Sequence, residues 1–390
     1  MTQSPIRGFG PRGTPRAGPG TRLGLGLGLG RGLGPGCALA LVLGALTALS
    51  ACGQTGGAGP APAGPPASRA PAGPSVLTAT IRVGRGPSAL TTDATSVWTV
   101  NAGAETVTRL DGRSRRPLGA PVRVPGGPRA IAVGFGGAWV ATAAGSVVRI
   151  DAQTLRPGPP IPVADPAGVA IGAGSVWITS RSADTVIRID PRTSRISRPP
   201  IRVGSQPTDI AFADGAAWSA NSADGTVSRV DAASDQAGPP IRVAPHHPLS
   251  PGGSARAIEQ PGDEVLALAA GQGAIWVATT DQQLPARFYV SRIDPASRAV
   301  GGPLAITGGV PLRLAAGAGG VWATDPGSAL PGSPQRSPRL ERVDPGGRAL
   351  SGPATGVGRD PAGVTVGLGR VWVTSAAENT VTEITPSPER

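Results

Sequence analysis

The sequence predicts an all-β protein, a seven-bladed β-propeller, and three observations support this. The 390 residues include Gly 60 and Pro 44 but no lysine, a composition that suits short strands joined by tight turns. Seven tryptophans recur 38 to 58 residues apart. The chain after residue 75 divides into seven similar copies around them, and a period of this length is typical of repeat architectures.

Alignment on the tryptophans brings further columns into register. The tryptophans are Trp98, Trp139, Trp177, Trp218, Trp276, Trp322 and Trp372. Eleven residues earlier, six copies carry a proline: Pro87, Pro128, Pro166, Pro207, Pro311 and Pro361. An apolar residue always stands eight positions before the tryptophan, and a small polar residue stands three positions after it. This agreement indicates one structural unit repeated seven times.

Each copy predicts four short strands, which in the fourth copy are residues 208–213, 216–221, 226–231 and 239–243. Gly, Asp and Pro separate them, as turns require. Four-stranded sheets cover each other's faces when they are arranged radially as blades. The seventh copy lacks a fourth strand, while residues 78–83 supply an extra strand before the first copy. We therefore expect the N-terminal strand to complete the last blade and close the ring.

The first 75 residues do not fit the repeat. Five arginines precede an apolar stretch at 37–49 that is too short to span a bilayer as a helix. The following Leu49-Ser50-Ala51-Cys52 resembles the lipobox of bacterial lipoprotein precursors. The resemblance implies a signal peptide over 1–51, acylation of Cys52 and a lipid anchor on the extracytoplasmic face of the cell membrane. Residues 52–75 then read as a flexible Gly/Ala/Pro tether, followed by the propeller at 76–390.

Charge and cysteine content narrow the classes of partner. Without residues 1–51, 31 arginines and 24 acidic residues remain, so the full-length net charge of +12 overstates how basic the remaining chain is. The arginines are spread along the chain and few aromatic residues are available to stack on bases. We therefore expect no nucleic-acid partner.

The strands also carry the patterns V-W-V-x-N, T-V-x-x-I-D and I-x-V-G-x-x-P. Through these, residues 76–390 resemble the YVTN/NHL-type β-propeller repeat. The resemblance implies the architecture for the whole segment. It does not imply one activity, because propellers of this type include binding proteins, lyases and lactonases.

The repeated residues themselves are expected to build the ring. Each tryptophan stands at the same place in a strand, which favours packing between neighbouring blades over a ligand cage. Six copies also contain an Arg-x-Asp pair, such as Arg188 and Asp190. Alternate residues of a strand share a face, so we expect these pairs to support each blade locally.

Function is expected where the repeat is interrupted, because insertions in a propeller map to loops. Three insertions, at 244–264, 280–288 and 325–339, join fourth to first strands or second to third strands. Both kinds of connection emerge on the same side of a four-stranded meander. The insertions therefore predict a binding surface over blades four to six.

One column of the first strands supports this surface. Nine residues before the tryptophan, five copies carry Ala or Gly, while the fourth carries Asp209 and the sixth carries Arg313. First strands line the central channel of a propeller, so these two side chains are candidates to clamp a polar ligand at the channel mouth. Pairing of the two with each other or with water is the structural alternative.

The inserted segments provide the other candidate ligand-binding residues: His246, His247, Asp263, Glu264, Arg287 and Asp325. Adjacent histidines on an extended segment diverge, and no pair has the H-x-H or H-E-x-x-H spacing of a metal site. No G-x-S-x-G elbow or free thiol marks a nucleophile. We therefore predict no catalytic residue, no metal ligand and no cofactor.

Taken together, the sequence predicts a membrane-anchored, extracytoplasmic binding module that recognises a protein, a glycan or a small polar ligand through the surface over blades four to six. Two alternatives stay open. The first is a metal-dependent enzyme similar to the propeller lyases and lactonases. The second is an envelope scaffold that holds partner proteins.

Overall fold

The computed structural model describes residues 75–243, 264–281, 287–306, 313–327 and 336–388. The chain divides into two compact units, Met1–Pro65 and Pro66–Arg390, and every described residue belongs to the second. The predicted signal peptide and the tether up to residue 74 lie outside the described residues. No helix in the described part is long and apolar enough to cross a membrane.

Seven antiparallel sheets form the seven blades, and the strands of the first four follow the chain in order. Blade one contains Pro87–Thr92, Ser96–Asn101, Thr106–Asp111 and Val122–Arg123. Blade two contains Pro128–Gly134, Gly137–Thr142, Ser146–Asp151 and Ile161–Pro162. Blade three contains Pro166–Gly172, Ser175–Ser180, Thr185–Asp190, Arg195–Ile196 and Ile201–Arg202. Blade four contains Pro207–Ala213, Ala216–Asn221, Thr226–Asp231, Gln236–Ala237 and Ile241–Arg242.

The remaining blades follow the same plan, and the last one includes the N-terminal strand. Blade five contains Glu264–Gly271, Ala274–Thr280, Phe288–Ile293 and Leu304–Ile306. Blade six contains Leu314–Gly317, Gly320–Asp325, Arg339–Val343 and Thr355–Gly356. Blade seven contains Pro361–Gly367, Arg370–Ser375, Thr380–Thr385 and Val76–Arg82. Two short 3-10 helices occupy Ala102–Ala104 and Arg181–Ala183.

The predicted closure of the ring is confirmed. The strand Val76–Arg82 pairs antiparallel with Thr380–Thr385, so that Val76 lies opposite Thr385 and Arg82 lies opposite Thr380. The strand starts two residues earlier than expected. A sheet built from both ends of the ring leaves no open seam between the first and last blades.

The ring has two distinct sides, which we call the loop face and the turn face. The loop face carries the connections from fourth to first strands and from second to third strands. The turn face carries the connections from first to second strands and from third to fourth strands. Pro207, which begins its strand, pairs with Asn221, which ends the next one, so both residues mark the loop face. Val76 lies opposite the end of a third strand, so the chain enters the ring at the turn face.

The tryptophans and the Arg-x-Asp residues build the blades, as predicted. All seven tryptophans are buried at 0–1% exposure. In five blades the arginine stacks on the tryptophan of its own blade, with the guanidinium carbon 4.5 to 5.8 Å from the ring centre. The aspartate instead caps the turn that follows, as where Asp111 Oδ1 accepts hydrogen bonds from the backbone N–H groups of Arg113 and Ser114. The pair thus supports the blade through two separate interactions.

Candidate functional site

The first strands surround a cavity of about 370 Å³ in the centre of the ring. Its apolar lining consists of alanine, glycine, leucine, isoleucine and valine. Five polar side chains interrupt this lining: Ser88, Arg129, Thr208, Asp209 and Arg313. A mostly apolar pocket with a few convergent polar groups is the usual form of a small-molecule site. The structure therefore brings the predicted Asp209 and Arg313 together in one cavity.

Asp209 is held by the backbone of two blades. Its Oδ1 accepts a hydrogen bond from the N–H of Ile210 at 2.9 Å, and its Oδ2 accepts one from the N–H of Leu268 in blade five, also at 2.9 Å. Burial raises the pKa of Asp209, while the Leu268 hydrogen bond and the charge of Arg313 act in the opposite direction. The carboxyl group thus joins blades four and five at the cavity wall.

Arg313 is fixed through its backbone and leaves its side chain exposed. Its N–H donates to Thr324 Oγ1 at 3.0 Å, and its carbonyl oxygen accepts from the N–H of Thr324 at 3.1 Å. These bonds tie the start of the first strand of blade six to the second strand.

Arg129 is a cavity residue that the sequence reasoning missed. Its Nε donates to the carbonyl oxygen of Pro166 at 2.7 Å, and its Nη2 lies 2.6 Å from Asp165 Oδ1. Hydrogen bonds from Arg181 and Arg129 hold the pKa of Asp165 below its usual value. The side chain thus bridges blades two and three at the loop face.

A change in strand register explains why Arg129 was missed. In six blades the pairing shifts near the start of the first strand, as between Pro128 and Ala130. Both residues after the proline then reach the cavity, as Thr208 and Asp209 do in blade four. The signal in the sequence was the column ten residues before the tryptophan, which holds Ser88, Arg129 and Thr208 as well as apolar residues.

Two hydroxyl groups of this column lack protein partners. Ser88 Oγ and Thr208 Oγ1 are buried and have no hydrogen-bond partner among the described residues. An unsatisfied buried hydroxyl costs about 1–3 kcal/mol, so such groups are normally paired. Both residues line the cavity, where a hydroxyl or amide of a ligand would satisfy them.

The other described candidates lie outside the cavity lining, at the bases of the insertions. Glu264 Oε1 accepts from Ser222 Oγ at 2.8 Å. The backbone N–H of Arg287 donates to Asp281 Oδ1 at 2.8 Å, which closes the base of the second insertion. Buried Asp325 lies 3.1 Å from Arg339 Nη2.

Asp325 belongs to a cluster inside blade six. Arg339 also lies 3.0 Å from Glu341, which is buried like Asp325. The equivalent positions of blade four hold Asn221 and Ser228, which form a neutral hydrogen bond of 2.9 Å. Blade six therefore keeps the same internal contact with charged residues.

The remaining predicted residues cannot be placed in the site. Cys52, His246, His247 and Asp263 lie outside the described residues. Within the described part of the chain, no group of three or more His, Cys, Asp and Glu side chains is arranged to hold a metal ion. The two arginines of the cavity also disfavour a divalent cation there.

A second cavity of about 500 Å³ lies on the turn face between blades four and five. Its charged lining residues are Asp214, Arg229, Asp294 and Arg298. This cavity could not be predicted from the repeat pattern, because turns of two different blades form it.

Comparison with solved structures agrees with the fold described above. A catalytically inactive virginiamycin B lyase from Staphylococcus aureus with quinupristin aligns at a TM-score of 0.61 and 16% identity, over 80% of this chain and 99% of that one. A hydrazine synthase from Kuenenia stuttgartiensis aligns at 0.64 and 15%, over 80% and 98%. The WD40 repeats of RRP9 align at 0.60 and 11%, over 81% and 100%. The chain is a seven-bladed β-propeller.

At such low identity the propeller matches establish the fold alone. No family model matches the chain, and no curated protein matches it in sequence. The solved propellers include a lyase, a hydrazine synthase and a set of WD40 repeats, so the fold leaves the activity open.

Proposed function

We propose that the protein is a binding protein whose central cavity takes a small polar molecule carrying a carboxylate and hydroxyl groups. This proposal rests on the polar side chains that interrupt the otherwise apolar wall of the central cavity. Arg313 supplies positive charge beside Arg129, which is paired with Asp165, and Ser88 and Thr208 supply hydroxyl groups without partners among the described residues. A carboxylate is the natural partner of a guanidinium.

The position of Asp209 fits this ligand class. Both of its carboxyl oxygens are occupied by backbone N–H groups, and burial raises its pKa. The acid therefore opposes the charge of an anionic ligand less than a free carboxylate would. The arginines determine the preferred charge of the ligand.

The lipobox at Cys52 supports a location for this activity. Acylation there would hold the propeller at the extracytoplasmic face of the cell membrane, where polar solutes and cell-wall glycans are available. The insertions at 244–264, 280–288 and 325–339 begin or end at the loop face.

A thermal-shift titration tests the proposal with D-glucuronate as the probe and D-glucose as its uncharged match. We expect glucuronate to raise the Tm of residues 66–390 and glucose to have a much smaller effect, because binding to the folded state stabilises it. With Arg313→Gln, the same Tm shift should require at least about tenfold more glucuronate, since a charged hydrogen bond contributes about 1.5–3 kcal/mol.

Arg202→Gln is the matched control, because Arg202 is exposed on the outer strand of blade three. Equal shifts with both sugars, or a glucuronate response that survives Arg313→Gln, would contradict binding in the cavity.

A second candidate function is catalysis of the lyase or lactonase type, which the fold similarity to virginiamycin B lyase supports. Enzymes of this type depend on a metal held by carboxylate or histidine groups near the channel mouth. His246 and His247 are the histidines of this chain. If the protein is such an enzyme, purified protein should retain about one divalent metal, and EDTA should lower its Tm. The variant His246→Ala/His247→Ala should lose the metal, whereas metal-free protein with no response to Mg²⁺ or Ca²⁺ excludes this function.

A scaffold role makes a different prediction. A scaffold should capture envelope proteins through its surface, and this capture should not respond to Arg313→Gln or to glucuronate. Pull-down from a membrane extract with both proteins separates the scaffold from the ligand-binding protein.

A further inference from the structure

We propose that the turn face of the ring lies directly against an anionic lipid surface, through exposed apolar side chains and arginines. This surface is separate from the ligand cavity, whose polar residues face the opposite side of the ring. The proposal also differs from the lipid anchor, because the folded ring itself would contact the membrane.

The exposed large apolar side chains are segregated on one side. In the described residues they are Val76, Leu77, Leu118, Phe135, Ile196, Val300 and Leu350, with 37–61% of each exposed. Phe135 lies in a connection from first to second strand, and the others lie at or next to the start of an outer strand. All seven positions therefore belong to the turn face. Single exposed apolar residues are ordinary, but their collection on one side indicates a contact surface.

Four of these residues share one structural position. Leu77 pairs with Ile384, and Ile196 pairs with Ile189. Val300 and Leu350 form the same bridge with the last residues of the third strands in blades five and six. Blades one, two and four place Pro117, Pro157 and Ala237 there. An exposed apolar residue thus recurs in every blade at the rim of the turn face. These residues lie outside the hydrophobic core, so core packing does not account for them.

Arginines surround these apolar residues. The exposed arginines in the turns are Arg113, Arg116, Arg156, Arg192, Arg195, Arg198, Arg298 and Arg348. Among the described residues of these turns, Asp214 is exposed and the aspartates that cap the turns are half-exposed. Exposed arginines also occur on the loop face, but no large apolar side chain is exposed beside them in the described part. Apolar side chains flanked by arginines are the composition of proteins that lie in the headgroup region of anionic membranes.

The path of the chain agrees with this orientation. Val76 lies at the turn face, so the chain enters the ring on the side that carries the exposed apolar residues.

Vesicle sedimentation of residues 66–390 tests the proposal without the anchor, since this unit contains the complete closed ring but not Cys52. We expect the protein to sediment with vesicles of equal phosphatidylglycerol and phosphatidylcholine, and much less with phosphatidylcholine alone. Each arginine near an anionic surface strengthens partition by up to about fivefold. The variant Arg192→Gln/Arg195→Gln/Arg198→Gln should therefore weaken it by about tenfold or more.

The matched control is Arg123→Gln/Arg202→Gln/Arg242→Gln, which removes the same charge from exposed positions near the loop face. It should change partition less than threefold. Ile196→Ser/Leu350→Ser should weaken partition even at high salt, where charge effects are screened. Absence of sedimentation with the anionic vesicles, or equal loss in the two arginine variants, would overturn the proposal. A surface that instead binds a protein partner gives the first of these results.

Discussion

At the scale of single residues, close packing explains the small residues of the column nine positions before each tryptophan, and Asp209 and Arg313 are its exceptions. A Cβ atom added to Gly168 would lie 3.0 Å from the Cα of Asp209, so neighbouring first strands approach too closely for a larger residue at that position. The small residues of this column therefore reflect close packing. Asp209 and Arg313 depart from it, and the structure places both side chains in the cavity.

Asp209 predicts an unusual dependence of stability on pH. The unfolded chain loses the carboxyl proton near pH 3.8, whereas burial raises the pKa in the folded protein. Between these two values the folded state binds more protons, so the free energy of unfolding falls as the pH rises. Asp209→Asn removes this dependence. The Tm of the wild type relative to Asp209→Asn should therefore fall as the pH increases above 4.

Melting curves from pH 3.5 to 8 measure this difference, and Asp214→Asn is the control because Asp214 is exposed. A constant difference between wild type and Asp209→Asn across this range would show that Asp209 does not titrate in the expected way.

The residue scale also shows what the sequence could reveal about the site. Asp209 and Arg313 were found because their column is otherwise small. Arg129 was not found, because the register shift that turns it into the cavity is a property of the folded strand. The free hydroxyl groups of Ser88 and Thr208 were not recognisable either, since most serines and threonines of strands find partners.

At the scale of elements, the ring closes with an ion pair as well as with a strand. Blade seven carries Glu383 where the other blades carry an arginine, which in five of them stacks on the tryptophan. Its buried carboxylate pairs with Arg115 of blade one and with Arg370 of its own blade. The interruption of the Arg-x-Asp pattern in the last repeat thus has a structural cause at the junction of the two chain ends.

Glu383→Gln should therefore destabilise the ring more than a similar change elsewhere. We expect a loss of several degrees in Tm, because the buried carboxylate loses charged hydrogen bonds to two arginines. Glu378→Gln is the matched control, since Glu378 and Arg359 form a looser and more exposed pair at 3.6 Å. Equal effects of the two substitutions would show that the closing pair contributes little.

The strands themselves were largely predictable. In blade four, three of the four predicted strands match the structure to within one residue. The predicted fourth strand at 239–243 is instead two short pieces, Gln236–Ala237 and Ile241–Arg242. Pro239 and Pro240 have no N–H to donate, so the pairing is interrupted between them.

At the scale of the whole molecule, the two faces of the ring carry different kinds of surface. The loop face carries the cavity mouth and the bases of the three insertions, which the repeat alignment predicted. The turn face carries the exposed apolar residues, which no window of the sequence reveals, because they come from different blades and meet only when the ring forms. Sequence periodicity predicts the position of a residue within its blade more readily than a surface shared by all blades.

The position of Val76 at the turn face has a mechanical consequence. Any pull transmitted along the chain ahead of Val76 acts first on the hydrogen bonds between Val76–Arg82 and Thr380–Thr385. These are the bonds that join the two ends of the ring, and the outer strand has no neighbour on its other side. Tension would thus be borne by one seam, and the force needed to peel this strand would set the load at which the ring opens.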